Sequence, residues 1–144
     1  AFYSDIGLWP PDVCPQEDPG FIRWNAYQTR CCGFTPAGAD AIIQANWNGP
    51  YLEKFPILTP WAGSYDWEYW PSGGWTLPPG AYVSVRPRYG SVQRGAGCGY
   101  IGDSNATAVP DKLEIKLQQA GVDEYLPNGV NASDDHVIVG LSKF

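Results

Sequence analysis

Three stretches of the chain alternate apolar and polar positions with the period of a β-strand. Tyr65-Asp66-Trp67-Glu68-Tyr69 sets aromatic rings against carboxylates, placing Tyr65, Trp67 and Tyr69 on one face and Asp66 and Glu68 on the other. Tyr82-Val83-Ser84-Val85-Arg86 alternates in the same way and is ended by Pro87, and His136-Val137-Ile138-Val139-Gly140-Leu141 groups Val137, Val139 and Leu141. Between the second and third strands, Leu113, Ile115 and Leu117 also alternate, but Pro110 and Asp111 in front and Gly121 behind are helix punctuation, so this stretch reads as a helix. Thr35 followed by Pro36 reads as the cap and first position of a shorter helix running through Ala41-Ile42-Ile43-Gln44-Ala45. Residues 1–34 are turn-rich, broken by Pro10-Pro11, Pro15 and Pro19-Gly20, and Asn46 to Pro60 reads as loop. The fold expectation is α+β: a small antiparallel β-sheet of about three or more strands with short helices and long loops, in one domain spanning residues 1–144. Val83, Val85, Val137 and Val139 give such a sheet an apolar face that must be covered, and one short helix is a poor lid for three strands.

Composition narrows the class. A chain of 144 residues can bury a core of its own. The 17 Gly and 14 Pro indicate a loop-rich fold and not disorder, because 7 Trp, 9 Tyr and 5 Phe supply ample apolar area to bury. A net charge of −6 disfavours nucleic acid or an anionic membrane as the main partner. Arg86, Arg88 and Arg94 form a small basic cluster beside Tyr89, which against that charge reads as a subunit contact or a solvated face.

Four cysteines, Cys14, Cys31, Cys32 and Cys98, stand in a chain with no Met and one His. They form no C-x-x-C pair, and two adjacent cysteines serve one tetrahedral zinc poorly, so the set reads as two disulfides formed in an oxidising compartment. A Cys31–Cys32 bond would close a strained vicinal ring. Two connectivities then remain, each tying one of the pair to Cys14 and the other to Cys98. The longer bridge would close a loop of more than 60 residues, worth about 4 kcal/mol in the chain-entropy view.

Catalytic chemistry finds little support. His136 would have to serve any Ser-His-Asp or Cys-His arrangement, and a lone histidine at the start of a strand reads as structural. Gly95-Ala96-Gly97-Cys98-Gly99 imitates a phosphate loop but lacks the following G-K-[ST], and reads as a turn that lets Cys98 reach its partner. The carboxylates form no evident acid and base pair. The chain therefore reads as a non-enzyme with no catalytic, cofactor or metal site, and a hydrolase would need a catalytic pair that is not there. Asp103-Ser104-Asn105-Ala106-Thr107 fits an extended bacterial glycosylation acceptor, which makes Asn105 a modification candidate, while Asn131-Ala132-Ser133 fits only the shorter sequon.

Two motifs carry a resemblance to a known family. Trp47-Asn48-Gly49-Pro50-Tyr51-Leu52-Glu53-Lys54-Phe55-Pro56, continuing through Thr59-Pro60-Trp61-Ala62-Gly63-Ser64-Tyr65, resembles the "W-x-G-P-Y-L-x-K-x-P" turn and the "D-P-W-G-x-x-Y" that follows it in the globular heads of type IV pilins and type II secretion pseudopilins. Thr59 and Ala62 depart from that pattern. Tyr3-Ser4-Asp5-Ile6-Gly7-Leu8-Trp9-Pro10-Pro11 is similar to the "Y-x-x-D-x-G-x-Y-P" that follows the long N-terminal helix of these proteins. Together the motifs cover roughly the first half of the chain.

The resemblance implies a head domain whose N-terminal helix, both membrane anchor and filament core, lies outside these residues, cut away or encoded as a separate polypeptide. It also implies an extracellular or periplasmic structural protein whose partners are other pilin subunits and an N-terminal helix chain or segment docked in register with Ala1-Phe2-Tyr3. Such a chain meets the membrane only through that helix. Phe2, Tyr3, Trp70 and Trp75 are the subunit-contact candidates, with neighbouring heads touching through the aromatic loops around Trp70 and Trp75. The loop holding Asn131, Asp134 and Asp135 stands where some pseudopilins bind calcium, but it has fewer acids and reads as a solvated loop. The rival expectation is a secreted carbohydrate-binding module, with Trp67, Trp70, Trp75 and Tyr82 as a platform for sugar rings.

Overall fold

The computed structural model describes residues 1–13, 16–26, 38–56, 58–74, 77–86, 109–127 and 136–143. Cys14, Cys31, Cys32, Cys98, Thr35, Pro36, Trp75, Arg88, Tyr89, Arg94, Gly95 to Gly99, Asn105 and Asn131 to Asp135 lie outside the described residues, and with them the disulfide, glycosylation and calcium expectations.

The three expected strands form one antiparallel sheet in the order β1 (Ser64–Trp70), β2 (Gly80–Arg86), β3 (Val137–Lys143). Trp67 lies opposite Val83, Val83 opposite Val139, and Val85 opposite Val137, so the β-branched residues share the face that holds Trp67. A bulge corrects one reading. Tyr82 pairs with Gly140 but Ala81 pairs with Ser142, which makes Leu141 the extra residue and takes it out of the row begun by Val137 and Val139. Leu141 is accordingly 51% exposed. The turn from β1 to β2 requires glycine at Gly73, where φ is +81° and a Cβ would stand 2.8 Å from the Leu77 carbonyl oxygen.

Residues from the first third of the chain cover the Trp67 face. Helix α1 (Phe2–Ile6) ends at Gly7 in the left-handed conformation, whose N–H donates to the Tyr3 carbonyl at 2.8 Å. Helix α2 (Ala39–Asn46) contacts it. Phe2, Ile6, Val13, Ala39, Ile43, Trp67 and Ala81 make one buried core, with Trp9, Phe21, Trp47, Tyr51 and Val83 packed against it. Trp67 is anchored at its polar end, since its indole N–H donates to the Pro10 carbonyl at 3.1 Å. Phe21 meets it edge-on at 5.3 Å, held there by Asp18, whose Oδ1 accepts from the backbone N–H groups of Gly20 and Phe21 at 3.0 and 2.7 Å. Much of the cover expected from a separate helix thus comes from within, although Tyr65, Val83, Val85 and Val139 remain half-buried.

Helix α2 runs Ala39–Asn46 from Gly38, which takes φ +72°, outside the helix, while the expected cap and first position at Thr35 and Pro36 lie outside the described residues. Helix α3 (Asp111–Gln119) forms as expected from Pro110 and Gly121, with Gly121 N–H donating to the Gln118 carbonyl at 3.0 Å and Val122 N–H to the Leu117 carbonyl at 2.9 Å. Its inward residues are Glu114 and Gln118, while Leu113, Ile115 and Leu117 are half-buried. After the helix, Asp123 Oδ1 accepts from Ile138 N–H at 3.0 Å and Glu124 N–H donates to the Ile138 carbonyl at 2.8 Å. At the other edge Gln16 N–H donates to the Tyr65 carbonyl at 2.9 Å. Both outer strands are therefore partly paired by the chain itself, which blunts edge-to-edge association.

Candidate functional site

The sheet face opposite Trp67 carries charge, and that charge is buried. Asp66 and Glu68 on β1 share this face with Ser84 and Arg86 on β2, because Asp66 lies opposite Ser84 and the Arg86 side chain reaches diagonally along β1. Arg86 is only 3% exposed; its Nε lies 3.2 Å from Asp66 Oδ2 and its Nη2 pairs with Glu68 Oε1. Ser84 Oγ donates to Glu68 Oε1 and accepts from Arg86 Nε, both at 3.3 Å. Arg86 is thus no part of an exposed basic cluster, since pairing strand β2 with β1 turns it onto two carboxylates. The same-parity positions Ser64, Asp66, Glu68 and Ser84, Arg86 were the signal available for this cluster.

Two more groups face it. Burial and the neighbouring Asp66 carboxylate push Asp12 up to about 7, against the opposing pull of the Tyr69 and Val13 amides and Arg86. Burial raises Asp66 as well, with Arg86 pulling the other way. Burial and then the Arg86 charge lower His136 to about 3, so its ring is neutral, and it meets Tyr125 edge-on at 5.3 Å. The half-buried imidazole packs on a tyrosine ring at the entry to β3.

The other candidate surface is an open depression of about 260 Å³ beside α1, lined by Phe2, Tyr3, Trp9, Phe21, Tyr51 and Leu52. Tyr51 and Leu52 form one wall, and the Gly49–Pro50 peptide just before them is cis. Asn48 N–H donates to the Tyr51 hydroxyl at 3.0 Å, and that hydroxyl donates to Asp5 Oδ2 at 3.0 Å. The Phe2 and Tyr51 rings stand 5.2 Å apart. Comparison with known proteins finds no matching family model, curated protein or solved structure.

The expected contact residues separate in this geometry. Phe2 is buried within its own chain and lines the depression, whereas Tyr3 is half exposed, its ring 5.0 Å from that of Trp9. Trp70 is half-buried against Tyr82 at 5.3 Å. Trp67 and Tyr82 lie in the core, so neither side chain is free to face a sugar ring. Trp61, which no functional expectation singled out, is 42% exposed on a turn fixed by Thr59: Thr59 N–H donates to the Gly63 carbonyl at 2.7 Å and Thr59 Oγ1 accepts from Gly63 N–H at 3.0 Å. Among the described residues no group of three or more His, Cys, Asp and Glu side chains could hold a metal ion, and no helix is long and apolar enough to cross a membrane.

Proposed function

We propose that this chain is the globular head of a type IV pilin-like subunit, a structural part of an extracellular or periplasmic filament with no catalytic activity of its own. The observation that carries the reading is the meeting of its two motifs, which brings together Asp5 and Tyr51, more than 40 residues apart in sequence. Tyr51 of the second motif hydrogen-bonds Asp5 of the first at 3.0 Å and packs on Phe2, which immediately precedes that motif. In this reading a long helix supplied from outside these residues joins the head at Ala1-Phe2-Tyr3, beside the open depression, and completes the cover over Val83, Val85 and Val139. The buried, self-paired charge of the opposite face supports a structural role, since Arg86, Asp66 and Glu68 are occupied with one another. The blunted sheet edges support assembly through helices and aromatic loops and not through strand addition.

The test is an epitope tag appended after Phe144 in cells that produce the protein, followed by shearing of surface filaments and immunogold labelling. Labelled filaments are expected. A tag found only on free monomer in the medium, retained on a polysaccharide column, would make the secreted carbohydrate-binding module the better account.

A further inference from the structure

Five aromatic rings border the open depression of about 260 Å³, those of Phe2, Tyr3, Trp9, Phe21 and Tyr51. Their planes are mutually inclined. Phe2 stands at 88° to Phe21 with centroids 5.6 Å apart and at 60° to Tyr51 with centroids 5.2 Å apart, while Tyr3 and Trp9 form a second pair tilted by 33°. Rings at such angles wall a hollow, where parallel rings would stack on one another. No Lys, Arg or His side chain lines it. One hydrogen bond behind Tyr51 stands the Asp5 carboxylate, which accepts from the phenol at 3.0 Å. Ring faces attract a cation that comes within about 6 Å of the centroid, and a carboxylate beside them adds to that attraction. The net charge of −6 acts in the same direction over the whole chain.

The polar groups of the depression narrow the choice of cation. Its lining is mostly apolar, and the Tyr51 hydroxyl is used both ways, accepting from Asn48 N–H and donating to Asp5. A primary ammonium or a guanidinium entering such a wall leaves water with N–H groups that find few acceptors, and a sugar leaves it with hydroxyls in the same position. A trimethylammonium group has no N–H to satisfy. Its methyls pack on the rings while its charge faces them.

We propose that the depression is an aromatic cage for the trimethylammonium group of a small, choline-like molecule, with the half-exposed Tyr3 as its outer ring. The inference does not rest on the filament reading. A helix lying in the depression excludes the ligand, so the two are alternative occupants and the ligand belongs to the unassembled head.

The test titrates choline chloride into the isolated chain at constant ionic strength, with the Ala1 amino group acetylated so that no charge there opposes the probe. NMR signals of the Trp9 indole N–H and the Leu52 methyls follow the binding, and both are expected to shift and saturate. The uncharged analogue, with a tert-butyl group in place of trimethylammonium, should bind about tenfold more weakly. Tyr3→Phe, which keeps the ring, should bind choline like wild type, and Tyr3→Leu, which keeps the apolar bulk without it, should bind choline several-fold more weakly. The absence of a saturable shift would overturn the proposal. Equal affinity for choline and the analogue would overturn it too, since the depression would then be an apolar hollow without preference for charge. No filament enters the measurement, so a failure here leaves the filament reading where it stands.

Discussion

Replacing Arg86 with Met keeps most of the side-chain volume and removes the only full positive charge described among Asp12, Asp66 and Glu68. Two of those carboxylates are in direct contact with the guanidinium, and both are nearly inaccessible to water. Breaking a buried pair by removing one partner strands the other as an uncompensated charge, at a cost of about 3–5 kcal/mol. For a chain of this length, that lowers the melting temperature by roughly 10 °C or more. Urea unfolding followed by tryptophan fluorescence at pH 8 and pH 5 measures it. The deficit of Arg86→Met should shrink at the lower pH, because protonating Asp66 removes the stranded charge. A companion protein with Arg86→Met, Asp66→Asn and Glu68→Gln should recover most of the loss, since replacing all partners together leaves no orphaned charge. A loss below about 1 kcal/mol for Arg86→Met at both pH values would mean that Arg86 faces solvent, and would refute the buried cluster.

Trp67→Ala removes a ring enclosed by Trp9 and Phe21 together with its hydrogen bond to Pro10, and should destabilise the fold by about 3–5 kcal/mol in the same assay. Gly80→Ala would set a Cβ 2.6 Å from the Ser142 carbonyl oxygen and 2.8 Å from the Tyr82 ring, where paired backbone cannot yield easily; a loss of about 1–3 kcal/mol is expected, and a neutral result would mean that β2 and β3 are not paired in this register.

The strands were legible because alternation survives wherever one face of a sheet is apolar, as it does from Tyr65 to Tyr69 and from Tyr82 to Arg86. Leu141 was misplaced because a bulge shifts register by one residue and leaves no mark in composition. Helix α3 could be read from Pro110 and Gly121 despite its strand-like spacing, since punctuation constrains the backbone directly. By contrast, α1 has only five residues and is held by packing of Phe2 and Ile6, which no local pattern encodes. The charged cluster was the least legible feature. Alternation sets Asp66 and Glu68 on the face opposite the aromatic rings, and only the pairing of β1 with β2 shows that Arg86 turns inward to meet them. Asp12 reaches the same face from a proline-rich stretch more than 50 residues away in sequence, a contact that only the folded chain defines.

The filament reading meets its most direct test in Tyr3, half exposed beside the depression through which the proposed helix would pass. A photo-crosslinking amino acid placed at Tyr3, in cells that produce the protein, should join the head to a helical partner chain or a neighbouring subunit. Filaments sheared from those cells should then contain the crosslinked species, identifiable by mass spectrometry as this chain bound to an apolar helical polypeptide. If Tyr3 instead captures nothing while the protein accumulates as a free monomer outside the cell, the head-domain account is contradicted.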